Sequence, residues 1–182
     1  RLTAMAEELV GNAKRLIRSR QGQDICGCAV DWHVHQEAVL QSPMEIRRRK
    51  YIPRREENKC YEIATGRPYT LEEFLTLRNQ AKELKSKEES NRKLFTLHSA
   101  LRAGTKATRD ALAYVFLRNE NDSFTKYQPV WDAVARGEGE FPLWDKTEIP
   151  INGYTPEVHH TKMADVLELM FMEDSGEERE NE

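Results

Sequence analysis

Apolar positions along the chain recur mostly at helical spacing. The clearest run lies in the middle, over residues 69–136. It opens at Thr70-Leu71-Glu72-Glu73, a capping box in which the Thr hydroxyl accepts from the third helical N–H and Glu73 reaches back to the cap. Leu71, Phe74, Leu75, Leu77, Ala81 and Leu84 then follow at three- and four-residue intervals with charges between them. The pattern predicts a helix over residues 71–87 and a solvated patch at 86–91. It resumes through Leu94, Phe95, Leu97, His98 and Leu101 to a stop at Gly104. Nothing at 85–90 breaks the backbone firmly, so one long helix is also compatible with the pattern. Residues 106–118 predict the next helix, with Ala107, Ala111, Leu112, Val115 and Phe116 inward, and residues 129–136 a short one ended by Gly137.

The flanks are less regular. Residues 4–20 predict an amphipathic helix with a stripe of Leu9, Ala13, Leu16 and Ile17. Residues 25–35 alternate between apolar and polar positions, the pattern of a strand. A helix capped by Asp31 and running to Leu40 competes with that reading. It is preferred, because no second convincing strand exists to pair with. Ser42-Pro43-Met44-Glu45 starts a short helix that Pro53 stops, and residues 53–69 read as a connector. Residues 137–155 combine Gly, Pro and separated aromatics into an extended arm. Thr155-Pro156-Glu157 opens a last helix with His159 and His160 in its first turn. Its face is Val158, Met163, Val166, Leu167, Met170 and Phe171, and beyond Glu173 an acidic tail is expected to be disordered unless held. No internal repeat is visible.

The expected fold class is therefore mostly α: a small helical bundle or a long-helix hairpin with extended N- and C-terminal arms. Three segments follow: a basic arm with short helices (1–68), a central helical domain (69–136), and an arm with a terminal helix and acidic tail (137–182).

Composition sharpens this. Of 182 residues, 38% are hydrophobic and 32% charged, which supports only a modest core. No apolar run approaches the roughly 18 residues of a membrane span, so no integral membrane span is expected. The net charge of −3 hides a gradient: +4 over residues 1–68, +3 over 69–136 and −10 over 137–182. A basic front and an acidic rear suit two different neighbours, or each other. Three cysteines, Cys26, Cys28 and Cys60, make no disulfide framework and point to a reducing, intracellular compartment. The first residue is Arg1, which reads as a processed form, a fragment, or part of something longer. A removed presequence fits a mitochondrial protein, although Glu7 and Glu8 are unlike a transit peptide.

Candidate chemistry is sparse. The string Asp31-Trp32-His33-Val34-His35 resembles the first metal-binding strand of the amidohydrolases, where alternation sets two imidazoles on one face around a cation. The resemblance covers five residues. It implies a barrel of typically over 200 residues with later ligands, which this chain does not display. Cys26, Cys28, His33 and His35, with Cys60, are alternatively candidate zinc ligands, but C-x-C-x4-H is not a usual finger spacing. No phosphate-binding glycine loop, nucleophile elbow or HExxH string occurs, so neither a catalytic residue nor a cofactor is indicated.

Partner-binding residues are easier to nominate. Arg47, Arg48, Arg49, Lys50, Arg54 and Arg55 crowd one short stretch around Tyr51, a pattern that fits RNA, anionic lipid or an acidic protein surface. Phe141, Trp144 and Tyr154 are candidate anchors in the C-terminal arm. The reading that joins these features is a non-catalytic accessory subunit bridging protein neighbours in a large assembly, such as a mitochondrial respiratory, ATP synthase or ribosomal complex. The alternatives are an RNA-binding component acting through Arg47–Arg55, and a zinc protein or metal hydrolase acting through His33 and His35.

Overall fold

The computed structural model describes residues 2–20, 27–34, 41–52, 54–55, 60–86, 91–118, 144–148 and 156–177. Among these the protein is mostly helical. In chain order it runs α1 (Leu2–Ser19), β1 (Ala29–Val30), α2 (Pro43–Lys50), β2 (Arg54–Arg55), β3 (Cys60–Ile63), β4 (Tyr69–Thr70), α3 (Leu71–Lys85), α4 (Asn91–Ala103), α5 (Thr105–Arg118), β5 (Asp145–Glu148), β6 (Glu157–His160) and α6 (Met163–Glu177).

Two of the capping signals, at Ser42 and Thr70, are realised. Ser42 accepts from the Glu45 N–H with Pro43 in the first turn of α2. At α3, Thr70 and Glu73 exchange the two bonds of the capping box. Gly104 takes a positive φ of 104° between α4 and α5, which divides the two helices where an L side chain would be strained. The helix over 71–87 ends at Lys85 and a separate α4 begins at Asn91, so the long-helix alternative is not adopted.

The core forms where α3 and α4 pack on α6, with α5 against α4. Leu77, Ala81 and Leu84 of α3 meet Leu94, Leu97 and Leu101 of α4 there. Every residue of α6 from Met163 to Met170 is buried. A helix covered on all sides is a core helix. The most enclosed element is therefore near the C-terminus, not in the central run.

The strands were largely illegible in the sequence. A four-stranded sheet runs β2-β3-β6-β5, with β3 and β6 parallel (Tyr61 opposite Val158) and β5 antiparallel to β6 (Thr147 opposite Val158). A two-stranded ladder joins β1 to β4. Several expectations are corrected by these strands. Residues Asp31–Val34 are neither helix nor strand, so no helix starts at Asp31; residues 35–40 lie outside the described residues. The stretch around Pro156 opens no helix: His159 and His160 belong to β6, and α6 starts at Met163. The connector over 53–69 contains three strands. Part of the supposed arm is a strand of the chain's own sheet, and Trp144 before it is buried, its indole N–H donating to the Thr108 hydroxyl at 3.3 Å. Helix α6 continues through Glu177; residues 178–182, like 129–136, lie outside the described residues.

Candidate functional site

Two acids stand inside the apolar helix α6. Asp165 and Glu168 are three residues apart and so share one face. Both are buried, and a buried carboxylate requires partners. The loop between β3 and β4 supplies them. The backbone N–H of Ala64 donates to the Tyr51 carbonyl at 2.7 Å, which brings the end of α2 beside this loop. Asp165 then accepts from the Thr65 hydroxyl (2.9 Å), the Gly66 N–H (2.8 Å) and the Tyr69 hydroxyl (2.5 Å). A Cβ at Gly66 would collide with that Tyr69 hydroxyl, so the close approach needs glycine. Burial, and then the neighbouring Asp165 carboxylate, raise the Tyr69 hydroxyl well above its ordinary value, which keeps it a donor.

Arg67 joins the two acids. Its Nε lies 3.0 Å from Asp165 Oδ1 and its Nη1 2.8 Å from Glu168 Oε2. The guanidinium stacks 5.0 Å from the Trp32 ring centroid and 4.8 Å from that of Tyr51. The Tyr51 hydroxyl donates to the other Glu168 oxygen. Burial pushes the Glu168 carboxyl up to about 7, against the opposing pull of Trp32 and of the Arg47 charge. His98 Nε2 stands 3.6 Å from Glu168 Oε1, too far for a hydrogen bond, and has no other hydrogen-bond partner among the described residues. Burial, with Arg102 and Arg67 nearby, lowers His98 to about 4, so the imidazole is neutral.

Beside this network lies a cleft of about 370 Å³. Val34, Ile46, Phe95, Phe171 and Met172 give it apolar walls. Lys50, Arg102, His33, His98 and Glu168 give it polar ones. Phe95 and Phe171 stack face to face at 4.0 Å on its rim.

The nominated residues fall out unevenly. Arg47 is buried. It grips both Asp31 oxygens and donates to the Trp32 carbonyl at 2.5 Å, so it acts within the fold, not as a surface cation. Asp31 also accepts from Asn12 at 2.7 Å; the carboxylate of the metal-like string is thus occupied by an ion pair. Arg48 and Arg49 are exposed and Lys50 is half-buried at the cleft. Arg54 and Arg55 form β2, and only their backbone is described. Cys28 is exposed and His33 lines the cleft; Cys26 and His35 lie outside the described residues, as do Phe141 and Tyr154. Among the described residues no three His, Cys, Asp or Glu side chains are placed to hold a metal ion. No helix among them is long and apolar enough to cross a membrane.

Arg67, Tyr69, Asp165 and Glu168 were not among the nominated residues, and Tyr51 entered only with the basic cluster. Two acids within the apolar string Ala164-Asp165-Val166-Leu167-Glu168-Leu169-Met170 were the available signal, since acids in a buried helix are almost always paired. Comparison of the chain with protein-family models, curated proteins and solved structures finds no match.

Proposed function

We propose that the protein is a non-catalytic accessory subunit that docks onto protein neighbours in a larger assembly, with α1 as a docking element. The observation that carries this reading is the incomplete cover of α1. The helix has 18 residues, and none of them is buried. Its stripe of Met5, Leu9, Ala13, Leu16 and Ile17 is only half-covered, while Leu2 and Val10 are 68% and 51% exposed. Polar ties hold it to the rest: Asn12 to Asp31, Ser42 to Glu8 at 2.6 Å, and Arg20 to Glu73 at 3.2 Å. Most helical stability in proteins comes from packing an apolar face against something. Exposed Lys14, Arg15 and Arg18 beside the stripe suit a partner with an acidic rim.

The buried network supports the non-catalytic part. Both Glu168 oxygens and both Asp165 oxygens are engaged by groups of the chain itself. Such satisfied networks fix one packing arrangement. Here they lock α6 to the β3–β4 loop. Organellar complexes of the kinds named above fit this role. A photo-crosslinker placed at Val10 tests it: a defined protein neighbour is captured there and not from Lys82, an exposed position on α3. Equal or absent capture at both positions would refute docking through α1. A second reading, RNA binding, is favoured by the exposed Arg48 and Arg49, and it requires affinity that falls steeply with salt.

A further inference from the structure

We propose that the cleft between α2, α4 and α6 is a binding site for a small apolar monocarboxylic acid. This is independent of docking through α1. Three observations converge on it. Its volume, about 370 Å³, lies at the small end of the roughly 300–1,000 Å³ typical of small-ligand pockets, and is too little for a folded partner element. Its walls carry both chemistries, with Phe95, Phe171 and Met172 apolar and Lys50 and Arg102 cationic. That mixture suits a ligand with a hydrocarbon body and one anionic end. Finally, a residue of the wall carries an unsatisfied buried polar atom. His98 is 9% exposed and its Nε2 has no hydrogen-bond partner among the described residues. A buried polar atom left in that state costs free energy that a ligand group can recover.

The chemistry favours a carboxylate over a phosphate. Half of the lining is apolar, and a dianion would have to be desolvated against it. The resident acid does not repel the ligand strongly, because Glu168 is held by Arg67 and Tyr51 and burial disfavours its charged form. Arg102 and Lys50 are the cations of the lining that a carboxylate would meet, and the stacked Phe95–Phe171 pair is apolar surface for the hydrocarbon end. His98 lies edge-on to Phe171 at 5.9 Å, so its ring reports on a ligand packed against Phe171.

The experiment titrates the protein with octanoate, octanol and inorganic phosphate, followed by calorimetry and by the ¹⁵N resonances of His98. Octanoate is expected to bind saturably at one site and to move the His98 signals. Octanol is expected to bind about tenfold more weakly or worse, since it forfeits the charge-assisted bonds. Lys50→Gln and Arg102→Gln should each weaken octanoate, Arg102→Gln by about tenfold. If Arg102→Gln does not fold, Lys50→Gln decides alone. Absence of saturable octanoate binding overturns the proposal, as does equal affinity for octanol or an affinity unchanged in the folded variants. Phosphate that displaces octanoate overturns it in favour of an inorganic anion site. Capture of a protein at Val10 bears on none of these outcomes.

Discussion

Replacing His98 by Gln should expose a pH dependence that the intact protein conceals. His98 is lowered from 6.5 to about 4, and Glu168 is raised from 4.5 to about 7. As pH falls below about 6.5, the unfolded chain protonates His98 while the folded chain does not, so this group's contribution is lost toward pH 4. As pH rises above about 4.5, the unfolded chain ionises Glu168 while the folded chain keeps the proton, so that contribution is lost toward pH 7. Each displacement is worth about 3 kcal/mol, at about 1.4 kcal/mol per pH unit. Both side chains are buried, so solvent screening takes little from that figure. The slopes are opposite and cancel between about pH 4.5 and 6.5. In His98→Gln only the Glu168 slope remains. The stability advantage of the intact protein over this variant therefore grows by about 3 kcal/mol from pH 4 to pH 6.5. In Glu168→Gln the difference runs the other way across pH 4.5 to 7. Urea unfolding at half-unit pH steps, followed by Trp32 and Trp144 fluorescence, measures both, with unchanged m values as the control. A difference that stays constant with pH, or the same sign for both variants, would refute the assignment of one neutral imidazole beside one protonated acid.

Two further changes test the structure elsewhere. Asp31→Ala leaves Arg47 buried without its carboxylate and should cost about 3–5 kcal/mol, whereas adding Arg47→Met should recover most of it; a double-mutant cycle in urea checks this, and equal losses for the single and double variants would contradict a buried pair. Thr70→Val keeps the side chain's shape but removes the cap of α3, and should cost about 1 kcal/mol in the same assay, with no change meaning that the box contributes nothing.

Helices were legible because their signals are local. The Thr70–Glu73 and Ser42–Glu45 caps each lie within four residues, and both were realised. Gly104 stopped α4 for the same reason. The strands were not legible. Asp145–Glu148 and Glu157–His160 are short and polar, and β3 pairs with β6 across nearly a hundred residues. Such elements exist only because distant partners are brought together, and periodicity carries no record of that. Histidines 159 and 160 were drawn into a helix by the Thr155-Pro156-Glu157 cap signal, which tertiary pairing overrode. The buried network was hidden for a related reason. Arg67 sits in a stretch that reads as a connector, and its two carboxylates lie about a hundred positions away. The basic cluster misled in part, because Arg47 faces Asp31 whereas Arg48 and Arg49 face outward.

On the docking proposal, α1 completes its apolar face on a neighbouring protein. The most direct measurement is native size-exclusion of the tagged protein from cell extract, with and without nuclease, beside the variant Leu2→Asp, Val10→Asp. Both positions are exposed, so the variant should melt at the same temperature as the intact protein. Docking through α1 requires a nuclease-resistant complex far above 21.2 kDa for the intact protein and a monomer for the variant. An intact protein that elutes as a monomer, a variant that stays in the complex, or a complex that dissolves with nuclease would contradict it.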